Sequence, residues 1–337
     1  MRVGLLSFAH THAARYAQLL RAMPGIELLT SDPDITGAGP REVRGAALAG
    51  QLGVAYAEDY AELFAWGPDA VIVTAENSRH RELVEMAARH GADVLCEKPL
   101  ATTAEDGAAM VDACRAAGVR LAVAYPVRFS PAYAALRDAV RSGRTGRVLS
   151  VTGANNGRLP ADVRRWFVDP HLAGGGALMD HTVHVADLMD DLFDGARAVE
   201  VYAQANNLLY AESVAVDTAG LVVIRYDNGV VVTVDCSWSQ PLHAVSRDRL
   251  ELQLVGAEAT VDADFFGQLV SGFDEKNHRP MDIPWGTDVN EELLKAFLSG
   301  PGERVVPLAD GESALRSLKI VLAGYASLRS GQPAAIR

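Results

Sequence analysis

Short apolar runs alternate with amphipathic stretches through the first 125 positions. Arg2–Phe8 (RVGLLSF) has strand character, and Ala13–Met23 carries apolar residues at helical spacing until Pro24-Gly25 ends it. Ile26–Leu29 repeats the strand pattern and runs into the turn-forming Ser31-Asp32-Pro33-Asp34. Tyr60–Phe64 belongs to a short helix. Ala70–Thr74 (AVIVT) is continuously apolar, as expected of a strand covered on both faces in a parallel sheet. His80–His90 reads as a helix closed by Gly91, and Asp93–Cys96 as a strand. Ala104–Ala117 reads as a helix followed by Gly118, and Leu121–Ala124 as the next strand. This alternation with short connections predicts a doubly wound parallel α/β domain over residues 1–125.

The pattern changes after Tyr125. A helix over Pro131–Arg141 precedes long strand-like runs at Val148–Thr152, Val199–Ala205, Thr218–Tyr226, Val230–Trp238 and Leu250–Val255. Asp227-Asn228-Gly229 marks a hairpin between two of them. Residues 126–337 are therefore expected to form an α+β domain with a mostly antiparallel sheet, closing with helices at Asn290–Leu298 and Glu312–Ser327. Thr36–Pro40 reads as a surface loop. Two domains suit a chain of 337 residues, and 49% hydrophobic with 22% charged residues is ordinary globular composition. The formal charge, 31 − 43 = −12, repels polyphosphate and argues against nucleic acid as a partner. Three cysteines, Cys96, Cys114 and Cys236, suggest a reducing compartment, hence the cytoplasm, and not a disulfide framework. No apolar run approaches the ~20 residues of a membrane span, and the N-terminus reads as a first strand, not a signal peptide.

Three segments carry candidate chemistry. The first strand-to-helix turn is where a dinucleotide-binding domain places its glycines. Here it reads Ser7-Phe8-Ala9-His10-Thr11-His12, with every glycine replaced. It is either a modified phosphate cradle, with Ser7, His10 or Thr11 donating hydrogen bonds, or a degenerate loop. Asp32 stands after the second strand, where a carboxylate accepts from ribose hydroxyls and disfavours a 2′-phosphate; the plainer reading is a turn former beside Pro33. Lys98, in Cys96-Glu97-Lys98-Pro99-Leu100, follows a strand at the ligand-binding edge; it either polarises a hydroxyl or is solvated surface. Gly174-Gly175-Gly176 leads into a helix on which Asp180 and His184 share a face at i and i+4. They form an acid–base pair or, more plainly, a capping Asp and a core-edge His. Arg165 with Arg164 offers an anion clamp, Trp166 a platform for a sugar face, and His171 lies in the same loop. Asn155 lies at the end of a strand, within reach of the same pocket. His10, His12, Asp180, His181 and His184 could together hold a divalent cation, but cofactor and substrate are expected to take these residues and no resident metal is expected.

Taken in order, Thr74–His80 (TAENSRH), Cys96–Ala101 (CEKPLA), Tyr125–Pro131 (YPVRFSP), Gly174–His184 (GGGALMDHTVH) and Gly311–Leu318 (GESALRSL) resemble the Gfo/Idh/MocA oxidoreductase family. The resemblance implies an N-terminal Rossmann domain and a C-terminal open sheet used for homodimers or homotetramers. It implies hydride transfer between NAD, or alternatively NADP, and a sugar, cyclitol or related polyol. It assigns Lys98 to the reacting hydroxyl, His184 as the favoured base beside Asp180 and His181, and Arg128 to the substrate. Thr74, Ala75, Asn77, His80 and Glu97, with Lys98, fall along the cofactor. Glu76 and Thr182 depart from the usual Pro and Gly. Two other outcomes compatible with the fold are a ligand-sensing relative without turnover and an NAD-using lyase or glycosidase.

Overall fold

The computed structural model describes residues 1–35, 39, 42–241, 248–299 and 307–336. Apart from Gly39, the Thr36–Pro40 stretch lies outside the described residues. The chain forms two compact units. The first comprises Met1–Tyr125, Pro160–Gly175 and Asn290–Leu318; the second comprises Pro126–Leu159, Gly176–Val289 and Lys319–Arg337. A division falls at Tyr125, but two later segments return to the first unit.

Elements of the first stretch are β1 (Arg2–Leu6), α1 (His12–Ala22), β2 (Glu27–Ser31), α2 (Gly45–Leu52), β3 (Ala55–Tyr56), α3 (Tyr60–Ala65), β4 (Ala70–Val73), α4 (His80–Arg89), β5 (Asp93–Glu97), α5 (Ala104–Ala117) and β6 (Leu121–Ala124). Later elements are α6 (Pro131–Arg141), β7 (Val148–Asn156), α7 (Pro170–Ala173), α8 (Ala177–Leu192), β8 (Ala198–Asn206), β9 (Ala219–Tyr226), β10 (Val231–Ser237), β11 (Arg249–Gly256), β12 (Thr260–Asp264), β13 (Leu269–Asp274), β14 (Arg279–Pro284), α9 (Val289–Leu298), β15 (Ala309–Asp310), α10 (Gly311–Ser330) and β16 (Ala334–Ala335).

The first unit is built on a sheet of order β15-β6-β5-β4-β1-β2-β3. All its strands are parallel except β15, which pairs antiparallel with β6. The central strands are buried on both faces, which explains their continuous apolar runs. The strand order reverses between β1 and β4, so ligands are expected outside the carboxyl ends of these strands. The returning segments are held by specific contacts. Trp166, Phe167 and Ala173 pack on Ala9, and the Arg120 Nη2 donates to the Phe297 carbonyl at 3.2 Å.

The second unit carries a sheet of order β12-β11-β7-β10-β9-β8-β16 and a separate β13–β14 hairpin. Among the described residues, only β7 and β10 pair in parallel within that larger sheet. Alternate side chains of β9 are buried and exposed. Helix α8 lies on one face; Gly153 of β7 lets it approach, since a Cβ there would stand 3.1 Å from Val185. The opposite face exposes Tyr202, Leu221, Val223 and Val231.

Polar anchors fix α8 along its length. The Arg128 guanidinium donates through Nε and Nη2 to the two Asp187 carboxylate oxygens, both at 2.7 Å, and the pair is buried. Tyr133 Oη and Arg137 Nε donate to Asp191 Oδ2 at 2.6 and 2.7 Å. A buried pair contributes little net stability, but removing one partner strands the other charge at about 3–5 kcal/mol. Arg128→Ala is accordingly expected to lower unfolding stability by about 3–5 kcal/mol in denaturant titrations. An unaltered midpoint would show that Arg128 does not hold α8.

Candidate active site

The edge of the first unit is organised by the turn that follows β1. Ser7 takes a left-handed conformation, φ 72°, which in a dinucleotide-binding turn is ordinarily the work of the first glycine. Serine tolerates it because its hydroxyl is engaged on both sides: Oγ donates to Asp32 Oδ1 at 3.0 Å and accepts from the Ala9 amide at 3.1 Å. The turn then crosses the end of β4. The His10 amide donates to the Thr74 carbonyl at 2.8 Å, and Thr74 Oγ1 donates to the Ser7 carbonyl at 2.6 Å. Helix α1 starts at His12, with neither a side-chain cap at Thr11 nor an acidic residue in its first turn. The conformation of Ser7 and the carboxylate after β2 fit a dinucleotide.

Asp32 is fully enclosed. Arg44 donates to its Oδ1 through Nη2 at 2.7 Å and to its Oδ2 through Nε at 3.1 Å, and the Gly45 amide adds a bond at 2.9 Å. Burial works to raise the Asp32 carboxyl, but the hydrogen bond and charge of Arg44 outweigh it and hold it below its ordinary value. Arg44 also reaches Glu76 Oε1 at 3.0 Å and Ser7 Oγ at 3.2 Å. Arg44 thus bridges two carboxylates, and Arg79 Nη1 lies 3.9 Å from the other oxygen of Glu76. Neither Arg44 nor the pairing of Glu76 is apparent from the sequence, because their partners are far away along the chain.

Glu97 and Lys98 close β5. Glu97 is fully buried, and Lys98 is 6% exposed, so Lys98 is not a solvated surface lysine. The Lys98–Pro99 peptide is cis. Beneath this loop lies His80, whose Nδ1 is 3.0 Å from the Pro99 carbonyl and whose Nε2 is 3.2 Å from the Ala75 carbonyl. Burial pushes His80 below its ordinary pKa, against the raising effect of the carbonyls at its two nitrogens and of the Glu97 charge. Asn77 Nδ2 donates to the Ala173 carbonyl at 2.9 Å.

The returning segment covers the turn. Trp166 Nε1 and Arg164 Nε both donate to the Ala9 carbonyl at 2.9 Å. The His10 ring lies 5.4 Å from Phe167 and 6.2 Å from Trp166. Phe8 and Ala9 are fully buried, while Thr11 is exposed. Arg165 and His171 are exposed, so of these loop residues it is Arg164 and Trp166 that engage the turn.

In the second unit, α8 is buried except at Asp180, His184 and Asp190. The i, i+4 pair thus forms an accessible stripe on an otherwise enclosed helix. Asp180 Oδ2 accepts from Trp238 Nε1 at 3.1 Å and lies 3.3 Å from His181 Nε2. Asn155 Nδ2 donates to the His181 carbonyl at 3.0 Å, which steadies the backbone between Asp180 and His184. The amino end is held by Asp217, an aspartate the sequence does not single out: its carboxylate accepts from the Gly176 and Leu178 amides at 3.1 and 2.7 Å and from Tyr325 Oη at 2.7 Å. Thr182, at a position where Gly is common, is buried against Cys236 with Oγ1–Sγ at 3.7 Å.

Comparison with known proteins places the chain. Residues 7–125 match the family described as "Oxidoreductase family, NAD-binding Rossmann fold", and residues 133–262 match the "GFO/IDH/MocA C-terminal domain". The chain is 32% identical over 299 residues to 1,5-anhydro-D-fructose reductase of Ensifer adhaerens, covering 87% of this chain and 88% of that one. It is 31% identical over 300 residues to D-xylose 1-dehydrogenase (NADP(+)) 2 of Haloferax volcanii, covering 86% and 88%. The solved structure of GenD2 from gentamicin A biosynthesis, in complex with NAD, superposes with a TM-score of 0.83 at 21% identity, covering 100% and 96%. The chain belongs to the Gfo/Idh/MocA oxidoreductase family, and its first unit is that family's NAD-binding Rossmann fold.

Gly176 sits at the start of α8, where a side chain has no room. A Cβ there would stand 1.9 Å from the Asp217 carbonyl oxygen, a backbone atom that cannot swing aside. Gly176→Ala is expected to cost at least about 2 kcal/mol of stability and to lower turnover by displacing the start of α8, which carries Asp180 and His184. A variant with wild-type melting temperature and rate would show that α8 is not set by this contact.

Proposed function

We propose that the chain is a cytoplasmic NAD-dependent dehydrogenase acting on a sugar, cyclitol or related polyol, with Lys98, Asp180 and His184 handling the proton. The observation that carries this reading is the accessible Asp180–His184 stripe on the buried helix α8. The nearly buried Lys98 at the carboxyl end of β5 supports it. Named relatives that reduce an anhydro-sugar or oxidise a pentose support the substrate class.

Asp32, enclosed against Arg44, and Ser7, which shapes the turn, would set the charge and path met by the adenosine side of the dinucleotide, with Thr74, Ala75 and Asn77 along the end of β4. The amides of Ala9, His10 and His12 are already engaged, so Thr11 and the His12 ring would carry hydrogen bonds that a glycine-rich turn leaves to its backbone. Bound nicotinamide supplies the hydride acceptor or donor. The Lys98 ammonium donates to the reacting oxygen and stabilises the negative charge that develops there as its proton leaves. His184 takes that proton in oxidation and returns it in reduction. Asp180, oriented by Trp238, favours the protonated imidazole electrostatically. The open sheet face with Tyr202, Leu221, Val223 and Val231 would supply the surface of a homodimer or homotetramer.

Two measurements test this reading. Lys98→Ala should lower kcat by roughly 10²–10⁴-fold on whichever polyol the wild-type enzyme oxidises, the range of a lost general acid–base group, while leaving NADH affinity within a few fold. An unchanged kcat excludes Lys98 from the chemistry. Asp32→Asn removes one of the two carboxylates around Arg44 and should shift the NADPH/NADH preference toward NADPH by about tenfold, the worth of one charge-assisted hydrogen bond. A preference that does not move would separate Asp32 from cofactor choice.

A further inference from the structure

We infer that His10, His12 and Glu97 form a site for a divalent transition-metal ion of the zinc class. One donor atom from each residue lies within 4.8 Å of the donors of the other two. His12 Nδ1 is 2.9 Å and His10 Nδ1 3.7 Å from Glu97 Oε1. Zinc bonds of about 2.0–2.2 Å in a tetrahedral arrangement place neighbouring ligand atoms roughly 3.4 Å apart. The two measured separations bracket that value; with all three donors within 4.8 Å, shifts of about an ångström, with His10 Nδ1 releasing the His12 amide it accepts from at 3.2 Å, would converge the set.

The donor chemistry agrees. Two imidazoles and one carboxylate are the protein ligands of open, three-ligand zinc sites, which leave a fourth position to water or a ligand oxygen. The surroundings orient the ligands as an outer shell does. The Lys98 amide donates to Glu97 Oε2 at 3.2 Å and so leaves Oε1 to the imidazoles. Glu97 and His10 are buried while the His12 side chain is 33% exposed, which gives an ion a route of entry. The site arises from the fold itself. The crossing of the β1–α1 turn over β4, fixed at the Thr74 carbonyl, carries the His-x-His pair to the end of β5. Within the first unit, the residue that joins the His-x-His pair is Glu97. An ion here would also place positive charge beside a dinucleotide turn in a chain whose formal charge is −12.

This assignment stands apart from the dehydrogenase reading, because its test needs no turnover. The full chain, stripped with chelator and free of nucleotide, is titrated with ZnCl₂ by calorimetry and with CoCl₂ by visible absorption. Wild type is expected to bind one equivalent of Zn²⁺ and to give the intense visible bands of four-coordinate Co²⁺. His12→Ala, at the part-exposed ligand, and the isosteric Glu97→Gln should each bind Zn²⁺ more than ~10-fold more weakly, beyond the loss from outer-shell changes. Their circular dichroism should match wild type. Should a variant fail to fold, the Co²⁺ spectrum of wild type still decides. Absence of stoichiometric Zn²⁺ binding, octahedral-type weak Co²⁺ bands, or folded variants that bind as tightly as wild type would each overturn the site and leave a hydrogen-bonded triad.

Discussion

The bond from the His10 amide to the Thr74 carbonyl, 2.8 Å long, sets the position of everything at the working edge of the first unit. In a parallel sheet of order β5-β4-β1-β2, a turn leaving β1 can go either way. Tied down on β4, this one carries His10 and His12 toward Glu97 and leaves Ser7 facing Asp32. The left-handed Ser7 is the cost of that path, offset by hydrogen bonds from its hydroxyl to Asp32 and from the Ala9 amide. The Trp166 indole and the Arg164 guanidinium then close on the Ala9 carbonyl. The turn is thus built by side chains where other members of this fold class use glycine and bare backbone.

Helix α8 follows a different logic. Most of its surface is buried, yet its placement depends on polar contacts: Asp217 at its amino end, Asn155 at the His181 carbonyl, Arg128 on Asp187, and Tyr133 with Arg137 on Asp191. Apolar packing alone is non-directional and tolerates rotation of a helix about its axis. Directional anchors at several points do not, and they keep Asp180 and His184 on the accessible stripe. The proton-handling role proposed for the two residues would require such fixed placement, since an ångström of misplacement is expensive in rate.

The parallel sheet was readable because each buried strand is a short, unbroken apolar run, and Asp180 with His184 was readable from helical spacing alone. Other features depend on partners distant along the chain. Arg44 follows a Gly- and Pro-rich stretch and acquires meaning only from Asp32 and Glu76, 12 and 32 residues away. Pro160–Gly175 reads as a loop beside the substrate, yet it belongs to the first unit, because the indole of Trp166 finds a buried carbonyl there. The resemblance assigns Arg128 to substrate, whereas the structure places its guanidinium on Asp187 of α8. The missing glycines are legible as missing; that serine keeps the glycine conformation is not, since it rests on a tertiary bond to Asp32.

The central claim is that a glycine-free turn stabilised by Ser7 and Asp32 still serves a nicotinamide dinucleotide. Calorimetric titration of the purified chain with NADH tests it most directly. A single saturable site per chain is expected. A titration with no binding heat for NADH or NADPH at any temperature tried, on protein shown to be folded, would contradict it.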